Sequence, residues 1–328
     1  MENIMKAIVT FKADAPPEMR VEERRLPQRR PGTSLVRMQA ATINQLSNTI
    51  RTGGFGNTPV PLVLGNEGAG IVEESDTLDK GIRVAIFGGN DLGVTRDGLF
   101  QEWVVVDDWR LMPLPDAMSF DEGATLTVNY LTALNALTRT AQVRAGEYAL
   151  VSGSTGSVGN ALVQIGRALN VKVIALVSSA EKAELALQAG AFAAVDWTKE
   201  DVTEKVNALT GGKGADHAFD PVGGPIFSKL FDATRPRGRI VSIGFTAGRK
   251  AEIDLLSIIA SEKVIEGYSL HADTREQSVE ALKKLSELAF RGAVRPMIDS
   301  TWPTDEFEKG YARLTSREAV GSITVNLK

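Results

Sequence analysis

The sequence predicts an α/β fold, a doubly wound parallel sheet, next to a β-rich region. Three observations carry that prediction. An apolar run (Ala149, Leu150, Val151) meets a turn holding Gly153, Gly156 and Gly159, and a helix-like spacing of Val158, Ala161, Leu162, Ile165 and Leu169 follows. A second apolar run, 171–177, begins directly after that helix and closes a βαβ unit. Beyond it, helices and strands alternate regularly to residue 244, which implies a parallel, doubly wound sheet.

In chain order, residues 1–123 carry short alternating runs at 6–10, 34–40, 68–73, 83–87 and 101–106, separated by turns rich in Pro and Gly. That grain predicts a compact β domain. Pro113 and Pro115 mark its exit, and 122–141 reads as one helix leading to the glycine turn. After the βαβ unit come a helix over 181–189 stopped by Gly190, a strand over 193–197, a helix over 201–209 and a strand over 215–222. A helix at 225–234 and a strand at 238–244 follow, then an apolar strand at 264–270. The spacing predicts a helix over 275–291 and a final strand over 321–327.

Composition narrows the function. The 328 residues suffice for two domains with sizeable cores. Charged residues make up 24% and the net charge is −4, without a basic cluster, which argues against a nucleic-acid surface. No apolar run reaches membrane-spanning length and Met1–Val9 lacks the core of a signal peptide, so the expectation is a cytoplasmic protein with no membrane partner. Cysteine is absent and only His217 and His271 are present, which removes disulfides, thiol nucleophiles and thiolate zinc sites. His217 reads as a structural residue within a strand, and His271 as a loop residue.

The glycine turn is the first candidate site. Read as G-x-G-x-x-G, its first position is Ser154, followed by Gly156 and Gly159. A strand, a glycine turn and a helix N-terminus aim backbone N–H groups and the positive end of the helix dipole at a diphosphate. The cofactor set expected there is Ser154, Thr155, Gly156, Ser157 and Val158. Where NAD sites place an Asp or Glu at the end of the second strand, this chain reads Val177-Ser178-Ser179-Ala180-Glu181-Lys182. Two hydroxyls and the Lys182 cation suit a 2′-phosphate, so NADP(H) is the expected cofactor. The plainer alternative makes Ser179 a helix cap and Lys182 a solvated cation, and Glu181 weighs against the phosphate reading.

Several further stretches carry a family pattern: Ala41-Thr-Ile-Asn-Gln45, Leu64-Gly-Asn-Glu-Gly-Ala-Gly-Ile-Val72, 97–106, 152–159, Asp220-Pro-Val-Gly-Gly224 and 316–323. In their order and spacing the chain resembles the medium-chain dehydrogenase/reductase superfamily, in its zinc-free quinone oxidoreductase branch, over nearly its full length. The resemblance implies a Rossmann nucleotide-binding domain, 124–272, inserted into a GroES-like catalytic domain built from 1–123 and 273–328, with the active site in the cleft between them. It further implies that the three positions holding catalytic zinc in alcohol dehydrogenases correspond here to Asn44, Asn66 and Val128, which cannot form a tetrahedral zinc site.

What the resemblance implies chemically is hydride delivery from NADPH to a small electrophilic acceptor, a quinone or an α,β-unsaturated carbonyl. Such an acceptor spreads negative charge onto oxygen and needs hydrogen-bond donors rather than a Lewis acid. Asn44 is the expected donor near the nicotinamide ribose and the acceptor, with an Asx turn as its plain alternative. Tyr130 is a candidate proton source, with a packed helix aromatic as the alternative. By the family pattern Thr132, Val222 and Phe245 line the cofactor, Trp197 lies near the adenosine, and Arg317 is a basic position near the cofactor or simply a surface arginine. Phe55 stands where enoyl-thioester reductases of the superfamily carry a tyrosine, which disfavours that activity without removing it. A non-catalytic cofactor-binding protein is the rival from another class. A homodimer paired through strand 264–270 is the expected assembly.

Overall fold

A computed structural model describes residues 4–328. The chain begins with β1 (Ile4–Lys12), β2 (Glu18–Arg25) and β3 (Thr33–Ile43), followed by α1 (Gln45–Arg51), β4 (Leu62–Val63), β5 (Glu67–Glu74) and β6 (Arg83–Phe87). Then come β7 (Trp103–Asp107), β8 (Leu111–Pro113), α2 (Phe120–Ala124), α3 (Thr127–Asn135), β9 (Tyr148–Val151), α4 (Ser157–Ala168) and β10 (Lys172–Val177). The order continues with α5 (Ala180–Gln188), β11 (Ala193–Asp196), α6 (Val202–Leu209), β12 (Ala215–Asp220), α7 (Pro225–Ala233) and β13 (Thr234–Ser242). Last are α8 (Leu255–Ser261), β14 (Val264–Gly267), α9 (Arg275–Phe290), β15 (Ile298–Pro303), α10 (Phe307–Thr315) and β16 (Ser322–Asn326).

Two compact units result. One holds the chain up to Val128 with Leu270–Arg291 and Arg295–Lys328; the other holds Asn129–Ser269 with Gly292–Val294. The divisions fall a few residues from the expected 123/124 and 272/273. The short piece 292–294 joins the second unit, where the Arg167 guanidinium donates to the Ala293 carbonyl at 2.9 Å.

The second unit is a parallel sheet in the order β11-β10-β9-β12-β13-β14. Counted along the unit, that is strand order 3-2-1-4-5-6, the Rossmann order, and its direction reverses between β9 and β12. The strands can be nearly all apolar because helices cover both faces. Leu150, Ile174, Phe231 and Ile240 are fully or almost fully buried, and each such side chain contributes roughly 1.5–3 kcal/mol. α4 buries Ala161, Leu162 and Ile165 on the expected stripe, while Val158 is only half-buried.

The first unit is β-rich. Its larger sheet runs β15-β16-β3-β5-β6-β8, with β7 also paired to β3, and its smaller sheet is β2-β1-β4. β16 lies antiparallel to β3, with Ile323 opposite Ile43 and Asn326 opposite Ala40, so the two ends of the chain build one sheet. Val36, Ile86, Val325 and Leu64 sit at the centre of its core with no exposure.

Two expected elements differ in the structure. The helix expected over 122–141 is broken, because the Thr125 and Leu126 N–H groups close short turns on Glu122 and Gly123. α2 and α3 are therefore separate, and 136–140 continues as a π-helical turn. The strand expected over 264–270 stops at Gly267. Tyr268 turns inward beneath the Arg139 guanidinium, 5.3 Å from its ring, and Leu270–Ala272 forms a short turn of 3-10 helix.

Candidate active site

In the second unit the predicted positions gather at the carboxyl ends of the parallel strands. Gly153 follows β9, Ser178 follows β10, Trp197 follows β11, Val222 follows β12 and Phe245 follows β13. That is the edge at which doubly wound sheets bind ligands, and β9 and β12 flank its reversal point.

The glycine turn is shaped by close approach. Gly153 adopts φ +53°, a left-handed conformation that glycine takes without strain. The Gly156 N–H donates back to the Gly153 carbonyl at 2.9 Å. A Cβ on Gly159 would stand 2.0 Å from that same carbonyl oxygen. α4 begins with Gly156 as its N-cap and no side chain closing that end, so the helix presents backbone rather than a capping hydroxyl. Such a cradle fits a diphosphate. Ser154 is fully buried and its hydroxyl donates inward to the Leu176 carbonyl at 3.1 Å, so that hydroxyl is spent within the protein.

Beneath the turn lies an acid to which the sequence reading gave no role. Asp220, fully buried at the end of β12, accepts from the Ser152 hydroxyl at 2.5 Å and from the Val222 and Gly223 N–H groups at 3.0 Å. One carboxylate thus ties the segment before the glycine turn to the loop carrying Val222. The Val222 carbonyl accepts from Ala247 N–H at 2.8 Å, which extends the tie to the loop bearing Phe245. Phe245 and Trp197 are 57% and 39% exposed, so both rings have free surface.

At the end of β10, Ser179 caps α5 by accepting from the Lys182 N–H at 3.2 Å. The capping alternative therefore describes Ser179. Ser178 is exposed and the Lys182 side chain is half-buried one turn on. On α3, Thr132 is nearly buried. Tyr130 is 1% exposed and its hydroxyl lies 3.4 Å from the Asn160 Oδ1 on α4. This placement is that of a packed helix aromatic rather than an accessible proton source.

In the first unit, Asn44 is the N-cap of α1. Its Oδ1 accepts from the Ser47 N–H at 3.0 Å, and the Ser47 hydroxyl, 3.2 Å from the Asn44 N–H, completes a capping box. The amide's other end donates to Asn66 Oδ1 at 2.8 Å and lies 3.4 Å from Glu67 Oε1. Glu67, at the start of β5, is fully buried, and its Oε2 accepts from the Val128 N–H at 3.1 Å. The Arg51 guanidinium anchors the far end of α1, stacking 3.8 Å over the Tyr311 ring and pairing with the Glu308 carboxylate at 2.7 Å. Arg317 is exposed on the turn between α10 and β16 with φ +63°.

His217 Nε2 is 2.9 Å from the Glu147 carboxylate, at the opposite, N-terminal end of the nucleotide sheet. His271 stands 6.4 Å from the half-exposed Phe55 ring, and burial holds its pKa below the ordinary value.

The fit to zinc is poor. The Asn44 Nδ2 donates to the Asn66 Oδ1, the Asn44 Oδ1 accepts from the Ser47 N–H, and Val128 contributes a backbone N–H to Glu67 and no ligand atom. Among the described residues no group of three or more His, Cys, Asp or Glu could hold a metal. No helix among them is long and apolar enough to cross a membrane.

Comparison with known proteins gives the class first. Residues 30–116 match the alcohol dehydrogenase GroES-like domain and 157–287 the zinc-binding dehydrogenase family. The chain is 31% identical over 329 residues to a quinone oxidoreductase of Pseudomonas aeruginosa, covering 97% of this chain and 98% of that one. It superposes on the crystal structure of a Pseudomonas syringae quinone oxidoreductase with a TM-score of 0.84 at 28% identity, covering 98% and 99% of the two chains. The structure of an NAD-dependent alcohol dehydrogenase matches with a TM-score of 0.89 at 26% identity over 99% and 100%. The chain belongs to the medium-chain dehydrogenase/reductase superfamily, in its quinone oxidoreductase-like branch. It is accordingly an oxidoreductase of a family that uses a nicotinamide cofactor.

Proposed function

We propose that this protein reduces a quinone or an α,β-unsaturated carbonyl with NADPH, without zinc. The observation that carries the reading is the Asn44–Asn66 amide pair, bonded at 2.8 Å at positions that the family resemblance equates with zinc ligands. Amides offer hydrogen-bond donors and no Lewis acid, which suits an acceptor already electrophilic through conjugation. Bound NADPH supplies the hydride. The chain contributes the glycine cradle for the diphosphate, a loop set fixed by Asp220, and Asn44 as donor toward the acceptor oxygen. Thr132 borders the nicotinamide, Trp197 and Phe245 offer ring faces, and Arg317 adds a cation near the cofactor.

NADPH is favoured over NADH because no carboxylate occupies the tip of β10, while Ser178 and Lys182 present a hydroxyl and a cation there. The same reading places a homodimer contact on β14. It is the edge of the nucleotide sheet and leaves Val264 and Ile265 exposed, so a second copy pairing along it removes an open edge. The test is a panel assay following NADPH and NADH oxidation with 1,2- and 1,4-quinones, enones and crotonyl-CoA. Turnover of quinones or enones with NADPH supports the reading, and turnover of the thioester alone replaces it. Tight NADPH binding without turnover of any acceptor would point to a non-catalytic protein.

A further inference from the structure

We infer that Glu67 is a positioning residue that holds the Asn44 amide in the orientation the Ser47 N–H requires. The inference rests on the reading of Asn44 as the donor toward the acceptor. An asparagine amide is nearly symmetric in shape, and only its neighbours decide which end is oxygen and which is nitrogen. One end of Asn44 meets the Ser47 N–H, which requires oxygen there. The other end faces Asn66 Oδ1 at 2.8 Å and Glu67 Oε1 at 3.4 Å. Asn66 adds no firm constraint to that choice, because its own amide can turn over. An ionised carboxylate only accepts, so Glu67 admits nitrogen alone on that side.

The second oxygen of Glu67 accepts the Val128 N–H at 3.1 Å, in the first turn of α3. An anion at a helix N-terminus is favoured by the helix dipole, which offsets part of the cost of burying the charge. The side chain has no exposure, so it acts through Asn44 and does not touch the acceptor. One residue thereby links the cap of α1 to the Val128 N–H in the first turn of α3.

Glu67→Gln tests this. A carboxamide has one acceptor oxygen in place of two, so an NH2 group must face either the Asn44 Nδ2 or the Val128 N–H. The direct readout is the Asn44 side-chain amide in the ¹⁵N–¹H spectrum of the cofactor-free protein, assigned by its absence in Asn44→Asp. The wild-type pair is expected to exchange slowly with solvent, and in Glu67→Gln to shift and exchange faster. Glu67→Asp, which keeps the acceptor chemistry, is expected to recover part of the protection.

With 1,4-naphthoquinone as acceptor, Glu67→Gln is expected to lower kcat by on the order of tenfold to a hundredfold through a misplaced Asn44 side chain. The NADPH dissociation constant is expected to hold. Fast exchange of the wild-type amide, or the same spectrum in Glu67→Gln, overturns the inference even if the variants fold poorly, since the first needs only wild-type protein. If no acceptor is reduced by wild type, the functional reading fails while the amide spectrum still decides the role of Glu67.

Discussion

The Ser152 hydroxyl donates to the buried Asp220 carboxylate at 2.5 Å, directly beneath the glycine turn. Replacing Asp220 by Ala strands that hydroxyl and the Val222 and Gly223 N–H groups in a dry interior. The expected cost is on the order of 3–5 kcal/mol, because unmet buried donors lose their full solvation. Urea unfolding reads the loss, and cofactor titration should show weaker binding of both nicotinamide cofactors. Ser152→Ala, which strands only one acceptor lobe, should cost about 1–2 kcal/mol.

Lys182→Ala should raise the apparent KM for NADPH about tenfold and leave that for NADH nearly unchanged, since only the former carries a 2′-phosphate. Steady-state kinetics with both cofactors decide this. Equal changes would return Lys182 to a solvated helix position.

Gly159→Ala brings a Cβ to within 2.0 Å of the Gly153 carbonyl, which belongs to backbone and has no rotamer to escape into. The turn must open, and cofactor binding should fall below detection by fluorescence titration while far-ultraviolet circular dichroism stays close to wild type.

Asn44→Ser separates the two duties of that residue. Serine caps a helix about as well as asparagine, so the thermal midpoint should stay near wild type, whereas Asn44→Ala should cost about 1 kcal/mol. Both variants lack the amide bonded to Asn66, and both should lose turnover with any quinone or enone that wild type reduces.

Asp299 fixes the turn carrying Arg317. Burial alone would raise its pKa, but the bidentate Arg313 guanidinium at 2.8 and 2.9 Å and the Val320 N–H at 2.8 Å prevail and hold it below the ordinary carboxylate value of 3.8. Its stabilisation is complete above that ordinary value and disappears as pH falls through the lower folded value. Asp299→Asn should therefore lower the thermal midpoint at pH 6, with a smaller difference from wild type near pH 3.

The nucleotide unit was legible because its signals are local. Strands such as Leu150–Val151 and Val173–Val177 are apolar runs, and the glycines stand where helices start or stop. β2 escaped because Glu18-Met-Arg-Val-Glu-Glu-Arg-Arg is an edge strand with few apolar residues to reveal its period. α8 escaped for another reason: its Leu255, Leu256 and Ile259 are exposed, so no stripe points to a core. Around the site, the glycine cradle and Asn44 were visible as motifs. Glu67 and Asp220 lay inside quoted motifs, but the burial that makes them matter arises from strands distant in sequence. The direction of Tyr130 was unreadable because a helix offers every azimuth, and packing against Asn160 chose one.

The pairing of β16 with β3 also governs the order in which the molecule can be completed during synthesis. The stretch of β3 from Ala40 to Ile43 has no partner on that side until residues 322–326 emerge from the ribosome. Asn129–Ser269 is made well before then and can collapse around its own sheet first. Until residues 322–326 are made, a nascent chain of this protein therefore carries an open, apolar sheet edge, and in that interval the edge is exposed to wrong partners.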